Sequence, residues 1–119
     1  MKLEDLVGKE LCNAISETRI DTGVYEEVVI LSNDLFAWNT SLTEKLGPPL
    51  ISAEELEIVS SSEDVKSSQI DVALESAESF GGISEGQTLY HGVHDSAVIL
   101  ILIWPWQNGL NVTLKKAIL

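Results

Sequence analysis

Basic side chains are scarce in this chain. One arginine and six lysines face nineteen acidic residues over 119 positions, for a formal net charge of −12. That balance argues against nucleic-acid binding by phosphate neutralisation and against adhesion to an anionic membrane. A single cysteine, Cys12, excludes an internal disulfide framework and a multi-thiolate zinc site. Aromatic residues make up only 6% of the chain, so aliphatic side chains must build most of the core. The longest apolar run, Ala97–Trp104, falls far short of the ~20 residues a membrane-spanning helix needs. Acids at Glu4 and Asp5 interrupt the stretch where a signal peptide would be apolar. These absences point to a cytoplasmic protein with residues 1–119 as a single small β-rich domain.

The patterning predicts an α+β fold built mainly on antiparallel sheet, with an all-β fold as the alternative. Residues 2–7 suit one helical turn stopped by Gly8. Leu11–Ile20 and Val24–Ser32 flank Asp21-Thr22-Gly23 and read as a β-hairpin. Leu35–Leu42, with Phe36, Trp38, Thr40 and Leu42 alternating against Leu35, Ala37 and Asn39, then completes an N-terminal three-stranded meander. Gly47-Pro48-Pro49 ends that unit. A short strand over Leu56–Ser60 and a polar loop over 60–64 follow. Residues 68–80 fit either a strand or a helix. The Ala/Leu/Glu content, the Ser68/Asp71 capping pattern and the Gly81-Gly82 stop favour a helix. His91–Asp95 reads as a polar loop leading into Ala97–Trp104, a strand apolar on both faces and therefore central. Pro105–Gly109 turns the chain into a C-terminal β-hairpin whose last strand, from Leu110 to Ile118, alternates as if one face were solvated.

The acids are concentrated. Between Lys66 and Lys115 there is no lysine or arginine, and Glu54–Asp95 holds ten acidic residues against Lys66 alone, nine of the twelve net negative charges. If residues 68–80 are helical, Asp71, Glu75 and Glu78 form a row along one flank. Such a field attracts basic protein surfaces. Trp106, in a turn beside Pro105, is the candidate aromatic anchor of a contact surface, or else a cover for the end of the sheet.

Other motifs carry less. Asp21-Thr22-Gly23 matches the tripeptide at the catalytic aspartate of aspartic proteases. The polar residues before it, Val24 after it and the lack of a second bracing element do not follow that pattern, and a turn accounts for all three residues. His91, His94 and Asp95 are the candidate metal ligands, although two histidines three apart on a strand would face opposite ways. Cys12 has acidic neighbours that raise a thiol pKa, which suits packing and not nucleophilic attack. No Gly-x-Ser-x-Gly elbow organises a catalytic serine, and Phe80-Gly-Gly-Ile83 lacks the spacing of a phosphate-cradling loop. No catalytic residue and no cofactor are therefore expected.

The expectation is a non-catalytic acidic protein-binding module, of the immunity or inhibitor type, docking on a basic partner through Asp71, Glu75, Glu78 and Trp106. The alternatives are a nucleic-acid mimic and a small His/Asp metal-binding domain or enzyme, and a homodimer is a further option for assembly. Acidity that serves only solubility would need no partner at all.

Overall fold

A computed structural model describes residues 2–51, 72–84 and 86–119. Its centre is a five-stranded antiparallel sheet, with β1 (Glu17–Asp21), β2 (Tyr25–Leu31), β3 (Thr88–His94), β4 (Ala97–Pro105) and β5 (Asn111–Ile118) in the spatial order β1-β2-β5-β4-β3. Helices α1 (Leu3–Val7), α2 (Lys9–Asn13) and α3 (Leu35–Leu46) belong to the chain before β3, as does a 3-10 turn at Ser32–Asp34. A fourth helix, α4, covers residues 72–78. The fold is thus α+β with a mainly antiparallel sheet.

β4 is the clearest link from sequence to structure. Its unbroken apolar run lies between β3 and β5, and alternate residues feed two separate cores. Ile99, Ile101 and Ile103 join Val28, Ile30, Tyr90, Val112 and Leu114 beneath Leu3, Leu6, Trp38 and Leu42. This is the helical face. Leu100 and Leu102 join Leu89 and Ala117 on the opposite face, beneath Ala73 and Ala77 of α4.

Three local expectations change. The third meander strand is instead α3. Leu35–Leu42 satisfies a period of two in its apolar residues, but Leu35, Trp38, Leu42 and Leu46 also fall on one helical stripe, and that stripe enters the core. Phe36 pays no part in that stripe and stands 84% exposed. Gly47, at φ 84°, ends the helix where Lys45 lies in the last turn. The strand expected over Leu11–Ile20 begins only at Glu17, because Leu11, Cys12 and Ile15 pack against the core from α2 and the turn after it. The segment from His91 to His94, expected as a loop, is paired strand throughout, and only Asp95 and Ser96, both at positive φ, make the turn. The expected strand at 56–60 and the loop at 60–64 lie outside the described residues.

The last strand corrects a fourth reading. β5 has no solvated face, since it runs between β2 and β4 with Val112, Leu114 and Lys116 buried on the helical face and Thr113 and Ala117 on the other. Adjacent lysines on a strand must point opposite ways. Here both point inward, and β2 supplies an acid for each. Register sets Glu26 opposite Lys116 and Glu27 opposite Lys115. Lys116 is 0% exposed and Glu26 5%, with Nζ and Oε1 3.8 Å apart. The backbone N–H of Leu3 donates to the other carboxylate oxygen of Glu26 at 2.9 Å. Burial lowers the Lys116 pKa, while Glu26, Asp21 and Asp5 act to hold it up.

α3 is tied to β3 at two levels. The Tyr90 hydroxyl donates to Asn39 Oδ1 at 2.8 Å and lies 3.2 Å from Thr43 Oγ1. Beyond it, Gly92 lets the end of α3 approach the sheet: a Cβ there would lie 2.6 Å from the Leu46 carbonyl oxygen.

Two stability measurements follow. Gly92→Ala forces α3 off β3 and is expected to cost about 1–3 kcal/mol in urea unfolding, as overpacking does; an unchanged midpoint would show that the close approach is not required. Lys116→Ala strands the Glu26 carboxylate and is expected to cost about 3–5 kcal/mol, whereas the paired replacement Glu26→Gln with Lys116→Met, which keeps an acceptor for the Leu3 N–H, stays near the parent stability. Equal losses in the single and double variants would refute the pairing.

Candidate partner-binding surface

α4 resolves the ambiguity of its segment in favour of helix, for a reason visible in its side chains. Ala73 and Ala77, one turn apart, lie fully buried against the sheet with half-buried Leu74 beside them. Glu75 and Glu78, three apart, are therefore left on the exposed flank. Asp71, the first member of the expected row, lies outside the described residues, as do residues 52–70 and Glu85.

Whether these carboxylates are neutralised depends on where the cations sit. Lys2, Lys9, Arg19 and Lys45 all belong to the first 46 residues. Lys2 is paired with Asp21 at 3.2 Å, and Arg19 with Glu17 at 3.3 Å. Beyond Lys45, every basic residue among those described is drawn into the sheet. Lys116 is buried, and Lys115 keeps 11% of its side chain exposed while its Nζ donates to the Phe80 carbonyl at 2.7 Å. The charge gap seen in the sequence thus extends in space past Lys115, since the two lysines that close it numerically contribute little to the surface.

Trp106 folds back. Its indole Nε1 donates to Thr113 Oγ1 at 2.7 Å, and the Arg19 guanidinium lies 5.3 Å from the ring centroid, within cation–π reach. The ring is half-buried on the α4 face of the sheet. Freely exposed apolar side chains include Phe36 on α3, Val72 at the start of the described part of α4, and Leu110 beside β5, which is 67% exposed. The backbone N–H of Ser32 donates to the Leu110 carbonyl at 2.9 Å and links the Phe36 and Leu110 regions. Sequence reasoning placed Phe36 in a strand and missed it. The helical period of Leu35–Leu46 was the signal that would have set Phe36 opposite Trp38.

The histidines do not converge. His91 pairs with Leu100 and shares the α4 face, whereas His94 pairs with Ala97 and shares the helical face. His94 Nε2 lies 3.6 Å from Asp95 Oδ2, and burial lowers the His91 pKa. Among the described residues, no group of three or more His, Cys, Asp or Glu side chains is placed to hold a metal.

Asp21-Thr22-Gly23 is a hairpin turn. Gly23, at φ 89°, donates its N–H to Asp21 Oδ1 at 3.2 Å, and the Lys2 ammonium together with that bond holds the Asp21 carboxyl below its usual range. Between α1–α2 and β1–β2 lies a cavity of about 200 Å³ whose walls include Leu3, Glu4, Cys12, Asp21, Glu26 and Val28. Burial, with Glu4, Glu26 and Asp5 nearby, pushes the Cys12 thiol pKa up to about 11. That is the reverse of an activated nucleophile.

Comparison with protein-family models, with curated proteins and with solved structures gives no match to this chain.

The thiol gives a direct test of the site's electrostatics. A rise of about two pKa units leaves on the order of a hundredfold less thiolate at pH 8. Iodoacetamide should therefore alkylate Cys12 in the folded protein at roughly one-hundredth of the rate in urea-unfolded protein, with the folded rate climbing toward pH 11. Similar rates at pH 8 would show the thiol to be unshifted.

Proposed function

We propose that this chain is a non-catalytic acidic protein-binding module, of the immunity or inhibitor type, that docks on a basic partner through the side of the molecule bearing α4. The observation that carries this reading is the exposure of Glu75 and Glu78 on an element with no exposed cation from its own half of the described chain. A surplus of exposed carboxylate steers a basic partner toward one face and accelerates association. Asp71 belongs to the same sequence row and is included in the proposed surface. Trp106 contributes a half-buried ring already capped by Arg19, so it acts as part of the sheet surface more than as a projecting anchor.

The metal-binding alternative receives little support from histidines on opposite faces of β3. The nucleic-acid mimic needs a long row of carboxylates at phosphate-like spacing, and α4 offers two among the described residues.

The test compares the parent chain with Glu75→Lys/Glu78→Lys in affinity capture at low salt, followed by calorimetry on the protein recovered. The expected result is a basic protein that is retained by the parent, weakened at least tenfold by the double reversal, and released as salt rises. Equal retention by both chains, or loss of nothing at high salt, would remove the acidic flank from the interface.

A further inference from the structure

The two faces of the sheet are covered by very different means. Large side chains from α1 and α3, Leu3, Leu6, Trp38 and Leu42, press on the helical face, whereas α4 meets the other through Ala73, Ala77 and half-buried Leu74. Small residues bury little area, so this layer gains correspondingly little from the hydrophobic effect. Its C-terminal end is held instead around one cation. Lys115 Nζ donates to the Phe80 carbonyl at 2.7 Å, lies 3.4 Å from the Trp104 ring centroid, and is 3.9 Å from Glu27 Oε1. The Tyr25 hydroxyl donates to the same Glu27 oxygen at 2.8 Å, and the Tyr25 ring stacks on Phe80 with centroids 5.1 Å apart.

Two further features bear on how firmly that end is seated. Gly81 and Gly82 follow the helix at φ +105° and +80°, and the Trp104 ring fills the space a Cβ on Gly81 would need. Trp104 also buries its Nε1–H with no hydrogen-bond partner among the described residues. An orphaned donor is a cost of the closed arrangement that access to water would relieve.

We propose that residues 72–80 form a strap that opens and recloses as a unit about Gly81-Gly82, with the Lys115 ammonium as its latch, while the five-stranded sheet stays folded. Opening breaks the Lys115–Phe80 bond and the Phe80–Tyr25 stack, uncovers Leu89, Leu100 and Leu102, and moves Glu75 and Glu78 away from the sheet. The strap is independent of the partner-binding reading above.

Native-state hydrogen exchange on the full chain tests it. The α4 amides are expected to open at least a hundredfold more readily than those of Ile99–Ile103 in β4, and with little dependence on low concentrations of denaturant. Lys115→Met made together with Glu27→Gln keeps the aliphatic stem and an acceptor for the Tyr25 hydroxyl but removes the charge without stranding a carboxylate in the sheet, so it should speed exchange in α4 by about tenfold and leave β4 unmoved. Gly82→Ala, which acts through the positive φ of the hinge and whose Cβ meets no described atom within 4 Å, should do the same without touching the cation. If α4 in the parent chain exchanges only with β4, there is no strap. If the Lys115 substitution leaves α4 unchanged, or speeds both regions alike, Lys115 is no latch.

Discussion

Two oppositely charged pairs lying side by side decide how the halves of this molecule meet. Within the sheet, the β1–β2 hairpin meets the β3–β4–β5 unit through β2 against β5, where Glu26 faces Lys116 and Glu27 faces Lys115. Both strands are covered on both faces, so no solvated face is available to fix which residues pair. Charge specifies the register. A slip of two residues, the smallest that keeps each side chain on its own face, would set Glu26 against Leu114 or Ile118 and leave Lys116 buried without it. A buried pair adds little net stability over an apolar pair of similar shape, yet an unpaired buried charge is heavily penalised. The pairs thus act on the alternatives to the native register more than on the native state itself.

The same arrangement explains which parts of the fold were legible in the sequence. β4 could be read because its run of aliphatic residues leaves no polar face to assign, and the Asp21-Thr22-Gly23 turn because its residues suit that backbone. β5 misled because Lys115 and Lys116 look like surface residues until their partners are known, and those partners lie some ninety positions earlier in the chain. Leu35–Leu42 misled for a local reason: its apolar residues satisfy periods of both two and 3.6, and only continuation to Leu46 separates them. Of the candidate site, Glu75 and Glu78 were legible once Ala73 and Ala77 were assigned to the buried side of a helix. The folding back of Trp106 was not, because it depends on Thr113 and Arg19, contributed by two other strands.

Placing two lysines inside the sheet has a consequence for the surface. Each buried cation is matched by Glu26 or Glu27, which are also withdrawn, so the molecule's net charge is unchanged while its distribution is not. The exposed cations remaining among the described residues come from the N-terminal segment, where Lys2 and Arg19 lie close to acids of their own. The α4 side carries Glu75 and Glu78, with Arg19 over Trp106 on the same face of the sheet. Sequence charge alone shows an excess of acid, but the internal use of Lys115 and Lys116 is what leaves Glu75 and Glu78 without an exposed cation from their own half of the described chain.

Packing and charge meet in α4. A helix that approaches a sheet through alanines can lie close to it, but those alanines remove little apolar surface from water, which gives weight to the directional contacts at its C-terminal end. Those contacts converge on Lys115, which serves at once as the partner of Glu27, the donor to Phe80 and the cation over Trp104. One side chain therefore links the register of the sheet, the seating of α4 and the withdrawal of positive charge from the acidic side. Removing its charge would act on all three. Shortening Leu42 or Trp38 on the opposite face would act on core packing alone, which is the physical difference between the two layers of this fold.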